Sequence, residues 1–301
     1  MSATSLTPAR AAPAAVPGRF GAMLRAAGLL RESPIAMFGL AIVVFWIAVA
    51  ILVPALPLYS PLKQFNGMLL SPMLSTGKDG SFHWLGTDDL GRDLLSRLMW
   101  GSQRVLVWSS LAALSAYSAG VVMGVMAGYL GIWWDEVLSF VSNLILSFPL
   151  IVLYLVIISR FGATPLNIIV AVTLATSPQV MRIVRGIVLD LRTRDYIAAA
   201  QVRGESPFYV MLVELLPNAR GPLIVDACLR LGYVIITIAL LGYLGLGLPP
   251  PDPDWGSMIN AAQKYQSLGA NAMIWPALAV SSLVLGLNLF ADGLREISLR
   301  D

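Results

Sequence analysis

Six long apolar runs constrain this chain more than any other feature. They lie at roughly Ile35–Leu56, Val105–Tyr129, Val137–Ser159, Leu166–Met181, Leu223–Leu246 and Ala272–Phe290. A helix needs about 20 apolar residues to cross a hydrocarbon core of about 30 Å. The fourth run is near the short limit; the others are long enough. The expectation is an all-α membrane protein with six transmembrane helices. Composition agrees: 57% of the 301 residues are hydrophobic and 12% charged, with a mean hydropathy of +0.76. A soluble domain carries about 25% charged residues. So few charges could not cover the surface of a soluble enzyme of this size, and disordered, coiled-coil and disulfide-scaffold classes are excluded as well.

Rare residues bound the chemistry. Cys228 is the single cysteine, so no internal disulfide forms, and His83 is the single histidine, which excludes a multi-histidine metal site. The pair Gly77-Lys78 is followed by Asp79 and lacks an upstream glycine, so no phosphate-binding loop of the G-x-x-x-x-G-K-[ST] type exists. Energy for any work must come from a partner or a gradient. With no nucleophile–base pair inside the spans, an intramembrane protease is a poor reading. A self-contained channel or secondary transporter is the alternative from another class, although no repeat relates the two halves.

Lysine and arginine set the orientation. One side carries Arg10, Arg19, Arg25, Arg31, Arg182, Arg185, Arg192, Arg194, Arg203, Arg220, Arg295 and Arg300, twelve in all; the other carries seven, and Arg230 lies within a span. Both termini are therefore expected in the cytoplasm. The chain divides into a tail (1–34), a first span (35–56) and an external segment with an amphipathic helix (57–104). A five-helix core (105–292) with a cytoplasmic loop (182–222) and a short tail (293–301) follow. The first span reads as an uncleaved signal anchor.

The cytoplasmic stretch Arg192–Pro217 reads as helix, glycine turn, helix. Asp195 starts the first helix and Gly204 stops it; Ser206 and Pro207 are an N-cap and first-turn proline for the second, which Pro217 is expected to end. Spacing alone allows either a plain amphipathic hairpin on the membrane or a docking element. A DNA-binding role is excluded by the bilayer beside it and the lack of a recognition face. Asp88 and Asp89 are placed to cap a helix whose apolar face holds Leu90, Leu94, Leu95 and Leu98. Asp292-Gly293 reads as a helix end. Gly120, Gly124 and Gly128 form a stripe that lets a neighbouring helix approach, preferably one of this chain. Asp226 and Arg230 sit four apart, on one face of the fifth span. A mid-span arginine costs about 2.5–3.5 kcal/mol on insertion scales. The thirteen Leu, Ile and Val residues of that span return about 4–8 kcal/mol at roughly 0.3–0.6 each, so insertion survives. The pair is either self-neutralising or lines a pathway.

Ala198-Ala199-Ala200-x-x-x-Gly204, followed by Leu216-Pro217, resembles the EAA loop of permease subunits of binding-protein-dependent ABC importers. Further blocks are similar to the C-type permease of the dipeptide, oligopeptide and nickel branch: His83 to Leu98, Leu216 to Ala219, Leu244 to Gly256 with its prolines and Trp255, and Asn288 to Arg295. Ala198 stands where the motif has glutamate, and Ala291 where glycine is usual. The resemblance implies the type I ABC importer transmembrane fold, in the bacterial inner membrane. It implies a sister permease, two cytoplasmic ATPase subunits that bind ATP and magnesium, and an external binding protein. This chain would then hold no cofactor or metal, contact no nucleic acid and catalyse no reaction. Asp195, Tyr196, Ala198, Ala199, Ala200, Arg203, Gly204, Ser206 and Pro207 are the implied contacts with the ATPase. Peptides are the expected cargo, with nickel chelates or another small solute as the alternative.

Overall fold

The computed structural model describes residues 33–247, 251–266 and 271–298. The expected N-terminal tail through residue 32, the prolines at 249 and 250 and the last three residues lie outside them. Helix α1 is Pro34–Leu52, extended by a 3-10 turn at Val53–Ala55 and started by Ser33, whose hydroxyl accepts from the Ala36 amide. Helix α2 is Leu94–Tyr129, α3 Ile132–Leu146, α4 Leu150–Phe161, α5 Pro165–Leu191 and α6 Asp195–Val202. Helix α7 runs from Pro207 to Tyr243, α8 is Trp255–Gln263 and α9 Ile274–Ser298. Among the described residues five helices are long and apolar enough to cross a membrane, and one bent pair is a candidate for a sixth span.

That pair corrects the third expected span. Val137–Ser159 is not straight: α3 and α4 meet at 84° across Ser147-Phe148-Pro149. Proline has no amide hydrogen and its ring strikes the carbonyl four residues back, so the helix ends before it and restarts after it.

Glycine contacts set how the long helices pack. An added Cβ at Gly120, Gly124 or Gly128 of α2 would stand within 2.4–2.8 Å of side-chain atoms of Val180, Val184 or Val188 of α5. Both series ascend together, so α2 and α5 run parallel at close range, and the glycine stripe packs inside this chain as expected. Helix α5 is the centre of the bundle: 56% of its most apolar window is buried, against 28–33% in the other spans. A second close approach joins α1 to α9. Gly39 faces the backbone of Gly286 and Phe290, and Gly293 faces Ala36. The Asp292-Gly293 helix end is therefore corrected: α9 continues to Ser298, and Gly293 is kept small by α1.

The segment between α1 and α2 folds onto this frame. A two-stranded antiparallel ribbon pairs Ser75–Thr76 with Phe82–His83. The expected cap and surface helix are both corrected. Asp93, not Asp88 or Asp89, caps α2, accepting from the Ser96 amide at 2.8 Å and from His83 Nδ1 at 2.8 Å. Asp88 instead ion-pairs with Arg92 Nε at 2.7 Å and lies 3.3 Å from Arg97 Nε. Leu94 and Leu98 open the spanning helix itself, buried against Trp255 and Met258, so no separate amphipathic helix forms there.

Helix α8 folds back on the C-terminal half of α7. Trp255 is fully buried, donates from Nε1 to Leu98 O at 2.9 Å and meets the Trp46 ring at 4.9 Å between centroids. A Cβ on Gly101 would sit 2.8 Å from the Trp255 ring, and one on Gly256 2.1 Å from Ala239 O. Among the described residues of the proline-tryptophan-glycine block, Trp255 and Gly256 thus serve internal packing. Asp254, fully buried, caps α8 by accepting from the Ser257 amide at 3.0 Å. Its Oδ1 has no partner, and burial pushes its carboxyl up to about 6.

Candidate functional site

Two groups of residues stand apart from this packing. The first is the hairpin between α5 and α7. Helix α6 ends in paired C-terminal bonds: Gly204, at φ +79°, donates its amide to Gln201 O at 2.9 Å, and Glu205 donates to Ala200 O at 3.2 Å. Glycine takes this left-handed conformation without the Cβ penalty other residues incur. Ser206 Oγ then accepts from the Tyr209 amide at 3.3 Å, with Pro207 as the first helical residue. The turn chemistry expected from Gly204, Ser206 and Pro207 is present.

The stop at Pro217 is not. The chain instead widens into a π turn over Val210–Leu215, in which the Leu216 amide reaches Met211 O, and helical structure runs on to Tyr243. A π turn relieves the clash that proline brings to a regular helix. Asn218 Nδ2 donates to Glu214 O at 2.6 Å, which satisfies a carbonyl of that turn.

One face of the hairpin is core. Ile197, Ala200, Val210 and Leu215 are fully buried and pack with Val184 and Val188 of α5. Ala200 therefore faces the bundle. Tyr196 is half-buried with an unpartnered hydroxyl, and burial raises its pKa. The opposite face carries Asp195, Ala198, Ala199, Arg203, Gly204, Ser206 and Pro207, all exposed. Sequence reasoning missed its most exposed apolar residues, Val202 at 89% and Phe208 at 70%. Their signal was available as two large apolar side chains flanking the turn outside any span. Where the motif has glutamate the structure puts the exposed methyl of Ala198; the polar ties within the hairpin are Arg203 to Glu205 at 3.6 Å and to Glu214 at 3.4 Å.

The second group lies within the membrane. Asp226 and Arg230 do share one face of α7, but their pair is loose, with Nε 3.5 Å from Oδ1. Arg230 Nη1 is turned instead to Gln179 Oε1 of α5 at 2.7 Å, a partner that sequence spacing could not reveal. The guanidinium also lies 6.0 Å from the centre of the Tyr233 ring. Cys228 between them is half-buried and has no ligating neighbours; among the described residues no group of three metal-binding side chains exists.

Residues 120–301 match the model of the family described as binding-protein-dependent transport system inner membrane component. The chain belongs to this family. It is 36% identical over 261 residues to the dipeptide transport system permease protein DppC of Escherichia coli K12, covering 87% of each chain. To DppC of Alkalihalophilus pseudofirmus it is 32% identical over 267 residues, covering 89% of this chain and 86% of that one. To the glutathione transport system permease protein GsiD of Pectobacterium atrosepticum it is 35% identical over 216 residues, 72% of each. The fold is similar to that of the MetNI methionine ABC transporter in an inward-facing conformation. There the TM-score is 0.56 at 20% identity, covering 68% of this chain and 96% of the other. The protein is thus a multi-pass inner-membrane permease subunit of an ABC importer, with the type I importer fold.

Proposed function

We propose that this permease imports small peptides. It would form a pathway with a sister permease, receive cargo from an external binding protein, and be driven by two ATPase subunits that bind ATP and magnesium. The observation that carries the cargo is the 36% identity, over 87% of both chains, to a dipeptide permease. In this reading the exposed face of the hairpin, from Asp195 to Pro207 with Val202 and Phe208, rests against the ATPase. Movement there passes to α5 and α7, the helices that flank the hairpin, since each nucleotide state favours one arrangement of the spans. Asp226 and Arg230 line the pathway. The positive-inside imbalance supports a cytoplasmic hairpin and cytoplasmic termini.

The test is purification of the tagged chain from native membranes, mass spectrometry of its companions, and dipeptide uptake by the reconstituted set with its binding protein. One homologous permease, ATPase subunits and ATP-dependent dipeptide uptake are expected. Recovery of the chain alone would overturn the assembly. Uptake of nickel chelates but not dipeptides would overturn the cargo.

A further inference from the structure

Helix α5 keeps one face uncovered toward its C-terminus. Gln179, Arg182 and Gly186 follow one another at spacings of three and four, so they share that face. Arg182 and Gly186 are exposed, and a Cβ on Gly186 would meet nothing within 4 Å. Two other helices border the opening. Asn143 of α3 accepts at Oδ1 from Arg182 Nη2 at 2.6 Å, and Arg230 of α7 donates Nη1 to Gln179 Oε1 at 2.7 Å. Polar side chains of three helices thus meet around a space that this chain leaves open.

Charge accounting singles out Arg182. Arg230 pairs with Asp226 at 3.5 Å, and Arg185 pairs with Asp135 of α3. Arg182 has no ion pair among the described residues; its polar tie is to the neutral amide of Asn143. It lies about 26 Å along α5 from Pro165, at 1.5 Å per residue, near the edge of a hydrocarbon core of about 30 Å. A guanidinium held there without a counter-charge faces water or an anion rather than lipid tails, because nothing else offsets its desolvation.

Donors are available to receive such an anion. A guanidinium offers a planar fork of N–H groups that matches the two oxygens of a carboxylate. Gln179 adds a second source. Arginine only donates, so the amide oxygen of Gln179 must face Arg230, and its Nε2 remains a donor on the Arg182 face. Among the described residues nothing accepts from that nitrogen. Dipeptides and glutathione, named for the relatives above, share a terminal α-carboxylate. We propose that Arg182, with Gln179 beside it, is the transit site for the terminal carboxylate of the cargo. The inference rests on the peptide reading given under Proposed function.

The test uses the complete permease–ATPase complex in nanodiscs of phosphatidylcholine, without the binding protein, so that protein's own selectivity does not enter. Saturation-transfer NMR at millimolar concentration measures binding of alanyl-alanine and of its C-terminal amide. The unmodified complex is expected to bind the free acid at least about tenfold more tightly than the amide, the loss that one charged hydrogen bond brings. Arg182→Gln should erase that ratio with the melting of the complex unchanged, and Arg182→Lys should keep part of it. A ratio that persists in Arg182→Gln, equal binding of both forms by the unmodified complex, or no dipeptide binding at all would overturn the assignment. A ratio abolished by adding phosphatidylglycerol to the nanodiscs would overturn it too, and would give the guanidinium to a lipid phosphate. So would a complex that dissociates in Arg182→Gln, which would give it to a carboxylate of the sister permease. Failure of the peptide reading itself is seen separately, as absent dipeptide uptake by the unmodified, fully reconstituted transporter.

Discussion

Replacing Gly124 with alanine should destabilise the protein, although alanine is the better helix former. The added Cβ would stand 2.6 Å from Val184 Cβ and 2.8 Å from the carbonyl oxygen of Met181. Neither obstacle is the tip of a flexible side chain, so α2 and α5 must part. Overpacking of this kind costs about 1–3 kcal/mol, and rigid obstacles place it near the top of that range. The gain in helix propensity on leaving glycine offsets about 0.8–1.0 kcal/mol. The net loss is about 1–2 kcal/mol. Gly186 of α5 is the internal control, because a Cβ there meets nothing within 4 Å. Gly186→Ala should therefore stabilise by about 1 kcal/mol from propensity alone. Both variants are compared in detergent by denaturant titration followed through tryptophan fluorescence. Opposite signs are expected. A Gly124→Ala protein that gains as much as Gly186→Ala would refute the close parallel packing of the two helices.

Trp255→Ala should cost about 3–5 kcal/mol through its cavity and the loss of its bond to Leu98 O, read in the same titration. Asp254 makes stability pH-dependent in a direction opposite to most carboxylates. Its carboxyl titrates near 6 in the folded protein against an ordinary 3.8. The folded state thus holds the proton more tightly, and stability falls as pH rises through that window, by about 3 kcal/mol at 1.36 kcal/mol per unit. Asp254→Asn should flatten the profile between pH 4 and 7, and a persisting slope of that size would exclude Asp254 as its source. Phe208→Asp should reduce co-purification of the ATPase subunits at least tenfold while leaving the melting of the permease unchanged, because Phe208 is 70% exposed and supports no core.

Length and apolarity made the spans legible, since a bilayer imposes both. The break at Pro149 was harder to read. Proline alone does not decide the outcome here: Pro178 and Pro222 lie inside continuous helices of the same chain. Pro217 likewise permits continuity, at the expense of a π turn. The cap of α2 was misplaced for a related reason. Asp88, Asp89 and Asp93 have the same local chemistry, and His83, ten residues upstream of Asp93, decides among them through a bond at 2.8 Å. The hairpin's turn residues were legible because Gly204 and Ser206 act on their own neighbours. The inward orientation of Ala200 and the tie between Arg230 and Gln179 depend on α5, which local spacing does not report. Asp226 and Arg230 could be placed on one face by periodicity, and they pair there at 3.5 Å.

The fused pair of α2 and α5 has a mechanical consequence. With 36 residues, α2 is a rod about 54 Å long at 1.5 Å per residue. Its flank packs closely on α5 where Gly120, Gly124 and Gly128 meet Val180, Val184 and Val188. Such a rod works as a lever. A tilt of about 5° at one end displaces the other by roughly 5 Å over that length. The end of α5 carries the hairpin, and the far end of α2 carries Asp93 and the buried His83. If the pair turns as one body, a rotation of that size at the hairpin displaces the Asp93 end of α2 by more than the width of a water molecule.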